Sequence, residues 1–228
     1  MQTKTLSPPM SAFVATARAA KVTTPWTWAG PCGPTSPATT GTTTTPHQPA
    51  HGDHAGVIEG AGGTTLLTVC RNMHHDPPVL NITFGADDAA QMGYLIAVHR
   101  AQELLGIDQL PPLTIKGWPS LHVFGPSASA AVLCAVVSLF TNRLCRSDTA
   151  VTARVEFGTD ELFGVGFLAQ KAWGARKAEL TRLVMSTADQ DAWAAVPAAV
   201  REGLTPVFVG TGRELLDVMF KPLPWAVQ

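Results

Sequence analysis

Residues 127–142 read "SASAAVLCAVVSLFTN". Small and apolar side chains occupy most positions, and from Ala130 onward Ser138 is the one polar interruption before Thr141-Asn142. A helix of this composition has no polar side to give to water, so it has to lie centrally, with other elements covering it. That requirement decides the class of fold: a layered structure with enough flanking strands and helices to enclose one apolar rod. With 228 residues, 46% of them apolar, the chain is long enough to do so.

The flanking sequence supplies those layers. "TTLLTVCR" (64–71) and "PVLNITFG" (78–85) have the length and the β-branched content of strands. "HHDPP" between them reads as a turn, which predicts an antiparallel hairpin. "ADDAAQMGYLIAVHRAQELLG" (86–106) has an acidic first turn and a closing glycine, so a helix is expected there. Extended pieces at 113–118 and 120–125 lead into the apolar helix. Then follow a strand at 150–157, a loop turning into a helix at 164–180 and a strand at 182–186. A short helix pair at 189–203, a strand at 205–210 and a helix at 211–220 capped by Thr211 complete the order. Alternating strands and helices predict an α+β domain over 54–222, a mixed sheet with βαβ units and covering helices. Residues 223–228 read as a short tail.

Residues 1–53 differ in kind. The only strong bases before Asp53, the first acid, are Lys4, Arg18 and Lys21, and "PTSPATTGTTTTPHQP" has too little apolar surface to offset chain entropy. This part is expected to be a disordered tail or a transit peptide, and its hydroxyl-rich, acid-free composition points to the mitochondrial matrix, with the cytoplasm as the alternative.

A net charge of −1 gives no reason to expect nucleic acid as a partner. No apolar run reaches the ~18 residues of a membrane span. Cys32, Cys70, Cys134 and Cys145 are scattered without a CxxC pair and read as reduced thiols. "HGDH" (51–54) and "HHD" (74–76) lack metal-ligand spacing, so neither a metal nor another cofactor is expected. His122 is close enough to the turn at 125–127 to line a groove.

"HVFGPSASAAVL" (122–133) introduces the apolar helix through a Gly-Pro-Ser turn. Alone, Ser127 there is an ordinary helix cap. The order of pieces around it says more. "AGVIEG" precedes "TTLLTV", "AQELLGI" closes a helix, "LHVFGPSASAAVL" follows, and then come "LFGVGFLAQK" and "VREGLTPVFVGTGRELLDVMF". In this order and at these intervals, residues from about 54 to 221 resemble the proteolytic domain of Lon proteases.

The resemblance implies a serine–lysine dyad. Ser127 matches the nucleophile, Lys171, 44 positions later, the base, and Thr152 the residue that orients the lysine. A serine hydroxyl needs an adjacent base, and a lysine serves once burial lowers its pKa; "GFLAQKAW" provides an apolar setting for Lys171. Backbone N–H groups at the helix start would hold an oxyanion. The family also implies polypeptide substrates and a homo-oligomeric ring of six subunits. No GxxxxGK[ST] loop occurs in these 228 residues, so an ATPase acting in trans is the expected partner.

The chain departs from the family pattern in several places. Phe124 stands where an acid is usual and Ser129 where a glycine is usual, which adds a competing hydroxyl. Thr152-Ala153-Arg154 replaces Thr-Gly-Glu. The competing function class is a Lon-fold structural subunit without catalysis.

Overall fold

A computed structural model describes residues 20–27, 62–71, 80–118 and 123–220, with the backbone alone at 20–27, 62–66 and 118. Its centre is a seven-stranded mixed sheet. In chain order the strands are β1 (Ala20–Thr27), β2 (Gly62–Arg71), β3 (Leu80–Ile82), β4 (Leu113–Trp118) and β5 (Thr149–Thr152). After β5 come a two-stranded hairpin of β6 (Arg154–Val155) and β7 (Leu162–Phe163), then β8 (Arg182–Ser186) and β9 (Thr205–Val209). The spatial order of the large sheet is β3-β4-β2-β1-β5-β8-β9. β5, β8 and β9 run parallel, as helix-length crossovers require, whereas β2 pairs antiparallel with both β1 and β4.

Helices cover both faces. α1 (Asp88–Leu105), α2 (Ser129–Thr141) and α6 (Gly212–Met219) lie on one side; α3 (Leu168–Lys177), α4 (Gln190–Ala194) and α5 (Ala198–Arg201) on the other. Side-chain alternation along the strands assigns the faces. Val151 and Val184 join the α1/α2 core, while Ala150, Leu183 and Met185 join the α3 core. Thr152, two residues after Ala150, therefore shares the α3 face. All residues of α2 from Ser129 to Ser138 are buried, as its composition demands.

Local signals place the helix ends. Asp87 Oδ1 accepts from Ala90 N at 2.7 Å to start α1, and Gly106 at φ 64° ends it in the left-handed region. Thr211 Oγ1 accepts from Glu214 N at 3.2 Å to start α6. The α+β class with a mixed sheet, βαβ units and covering helices holds.

Two expectations are corrected. The strands at 64–71 and 78–85 do not form a hairpin. Both edges of β2 are taken, by β1 and β4, and β3 instead lies parallel to β4 across the α1 crossover. In addition, Ala20–Thr27, inside the stretch read as a tail, is a strand between β2 and β5. Its "KVTTPWT" carries Val22, three threonines and Trp26, which suit a pleated strand. The pairing with β5 is confined to Thr23↔Ala150, and Pro25, which has no N–H to donate, falls beyond it. "HGDH", "HHD", His122, Cys32 and the tail at 223–228 lie outside the described residues.

Candidate active site

The Gly-Pro-Ser turn is built from its neighbours inward. Gly125 adopts φ 72°, which a side chain would resist, and Pro126–Ala128 then forms one 3-10 turn ahead of α2. The Gly125 N–H donates to both carboxylate oxygens of Asp87, at 3.0 and 3.1 Å. Asp87 thus caps α1 and clamps the turn with the same group. Beside it, Gly93 of α1 leaves room for Pro126: a Cβ at position 93 would stand 2.7 Å from Pro126 Cβ. Sequence reasoning missed both residues. Asp87 read as part of an acidic first turn, and nothing in the sequence singled out Gly93.

Ser127 is half-buried at the end of this turn. Its carbonyl oxygen accepts from Ala153 N at 3.1 Å and from Thr152 Oγ1 at 3.3 Å. The Thr152 hydroxyl, fully buried, therefore holds the backbone of Ser127. Among the amides at the helix start, Ser129 N donates to Pro126 O and Ala130 N to Ala153 O at 3.3 Å. Those two are engaged in the fold and do not stand free for an oxyanion.

Ser129 is no rival to Ser127. It is fully buried, its oxygen accepts from Val155 N at 2.8 Å, and its proton goes to Ala153 O at 3.4 Å. It ties α2 to the β5–β6 bend, which explains a hydroxyl where the family pattern has glycine. Ser129→Ala orphans the buried Val155 N–H and is expected to cost about 2 kcal/mol of stability, measurable by urea unfolding.

Lys171 lies on the stripe of α3 that faces the sheet, with Leu168, Ala172 and Ala175, and is 3% exposed. Burial pushes its amine down to about 8, and the charge of Asp189 acts in the opposite direction. Nζ donates to Gly166 O at 2.9 Å, within its own approach loop. Among the described residues no hydrogen bond joins Lys171 to Ser127 or Thr152. Thr152 touches Ser127, and it lies on the sheet face that α3 covers.

The loop before α3 is tightly held. Phe167 enters the helix at φ 60°, a backbone region that side chains disfavour. Asp189, 3% exposed, accepts from Val165 N at 2.9 Å, and Ser186 Oγ donates to Leu162 O at 2.7 Å. Cys134 and Cys145 offer no rival nucleophile: burial raises Cys145 to about 11 and Cys134 well above the ordinary thiol range. Among the described residues no helix is long and apolar enough to cross a membrane.

Residues 121–222 match the family model described as the Lon protease (S16) C-terminal proteolytic domain. A mitochondrial Lon protease homolog of Yarrowia lipolytica is 35% identical over 99 residues, covering 43% of this chain and 8% of the relative. A mitochondrial homolog of Candida albicans is 31% identical over 151 residues, 62% of this chain and 14% of the relative. The peroxisomal Lon protease homolog 2 of Danio rerio is 32% identical over 96 residues, 42% of this chain and 11% of the relative. The chain thus spans a small part of the length of these curated relatives.

Proposed function

Because residues 121–222 match the model of the Lon protease (S16) C-terminal proteolytic domain, we propose that this chain is a serine endopeptidase working through Ser127 and Lys171. The observation that carries the reading is Lys171 itself. A lysine 3% exposed among Leu168, Ala172 and Ala175 is costly for a fold to keep as an ammonium. Its amine, pushed down to about 8, suits proton transfer near neutral pH.

In the proposed reaction Ser127 Oγ attacks the carbonyl carbon of a peptide bond and its proton passes to Lys171 Nζ. The tetrahedral adduct collapses, Lys171 returns the proton to the leaving amine, and an acyl group remains on Ser127. Water, deprotonated by the same amine, then hydrolyses the ester. Thr152 gives its proton to Ser127 O and keeps lone pairs with which to accept from the Lys171 ammonium.

Unfolded or small polypeptides are the proposed substrates. A ring of six identical subunits, an ATPase acting in trans and a mitochondrial matrix location extend the same reading. The names of the Yarrowia and Candida relatives support that location. A fluorophosphonate probe tests the core of the proposal. Labelling is expected in the wild-type chain and in Ser129→Ala, and is lost in Ser127→Ala. A folded wild-type chain that takes no label, and cleaves no unfolded polypeptide, overturns it in favour of a structural subunit.

A further inference from the structure

Asp189 is placed unusually for its position in the chain. It is the residue before α4, where an aspartate ordinarily caps its own helix, yet its side chain makes no such bond. The carboxylate turns away, into the protein, and Oδ1 accepts from Val165 N at 2.9 Å. Room for this exists because residue 164 is glycine: a Cβ there would stand 2.6 Å from Asp189 Oδ1. Val165 precedes Gly166, and Gly166 O takes the Lys171 amine at 2.9 Å. One carboxylate, 3% exposed, is thereby linked to the candidate base through two adjacent peptide units.

We propose that Asp189 is a positioning residue that fixes the loop presenting Lys171 and acts on its amine through its charge. This rests on Lys171 being the base of the reaction proposed above. A neutral group with the same acceptor would hold Val165 equally well, so the carboxylate's separate contribution is its field. Asp189 is the charged group acting on the Lys171 amine, and it favours the ammonium against the effect of burial. The other described charged side chains of α3, α4, α5 and β8 lie at exposed or terminal positions. Arg176, Lys177, Asp191 and Glu202 are exposed, and Arg182 and Arg201 occupy the far ends of β8 and α5. Burial favours the neutral amine and so lowers its affinity for the proton it has to take from Ser127. A buried carboxylate restores part of that basicity.

The test is Asp189→Asn, which keeps an acceptor for Val165 N and deletes the charge. Lysines carrying a 13C label at Cε are titrated by NMR in the Ser127→Ala background, with and without Asp189→Asn. The Lys171 midpoint is expected to fall by about one pH unit on loss of the charge. In the chain with Ser127 intact, Asp189→Asn is expected to label several-fold faster at pH 6.5 and at an unchanged rate at pH 9. A midpoint that stays in place, or labelling that falls equally at both pH values, means that Asp189 only holds the loop and overturns the proposal. If the asparagine variant does not fold, Asp189→Ser, also neutral, supplies the same comparison. The NMR midpoint is read without turnover, so it judges Asp189 even where failure of the Ser127 probe has overturned the peptidase reading.

Discussion

Lys171→Met is expected to give a chain that is more stable and unreactive. Methionine has similar length, suits the Leu168–Ala172–Ala175 surroundings and carries no charge. The folded amine sits at about 8 against an ordinary value of 10.5. Below about pH 8 the lysine is charged in both states, and folding bears the full cost of burying the ammonium. Between about 8 and 10.5 the folded form is neutral while the unfolded form still holds its proton, so the cost declines as pH rises. Above 10.5 both states are neutral and it is gone. A displacement of this size corresponds to about 3 kcal/mol at pH 7, and it already includes the attraction of Asp189. Loss of the bond to Gly166 O takes back about 1 kcal/mol. The net gain of about 2 kcal/mol should raise Tm by about 4–8 °C at pH 7. Urea unfolding at pH 7 and at pH 10.5 checks this: the advantage of the variant should vanish at the higher pH, and labelling at Ser127 should be lost at both. Equal destabilisation at the two pH values would show instead that the fold welcomes the ammonium.

Gly93→Ala should do the opposite of what helix propensity says. In an exposed helix, alanine is better than glycine by about 1 kcal/mol. Here the new methyl would stand 2.7 Å from Pro126 Cβ and 3.1 Å from Pro126 Cα. The proline ring cannot rotate away, and its turn is tied on one side by Gly125 N to Asp87 and on the other by Ser127 O to Thr152 and Ala153. Either α1 moves off α2 or the turn moves off α1. Overpacking of this kind costs about 1–3 kcal/mol. The greater effect is on reactivity, because a displacement of the proposed nucleophile, Ser127, by about 1 Å is worth about 100-fold in rate. Intact helical far-UV dichroism, a lower Tm and labelling slowed about 100-fold are the expected results. A variant that labels at the wild-type rate would mean that the turn has freedom the packing denies it.

What the sequence made legible follows from the range of the interaction. β8 at 182–186 and β4 at 113–118 were readable to the residue, and α1 from its first-turn acids and its closing glycine, because local propensity and caps decide those ends. Burial of Lys171 was readable from "GFLAQKAW", whose apolar flanks leave the amine nowhere wet to go. Partners across the sheet were not readable. Nothing local says that β2 has both edges filled, so the nearest strand in sequence, β3, was the natural but mistaken neighbour. Asp87, Gly93 and Asp189 were invisible for the same reason: each acts on a segment 24 to 38 residues away or on a proline packed against it. Ser129 was legible as a departure from a pattern, but its role required the position of Val155.

Strand β1 has a consequence for maturation. It joins β2 on one side and β5 on the other, so it bridges the β3-β4-β2 part of the sheet to the β5-β8-β9 part. A protease trimming this chain back to residue 53 would excise that bridge and leave two facing edges of unpaired backbone in the middle of the core. A cut that spares the fold has to fall before Ala20.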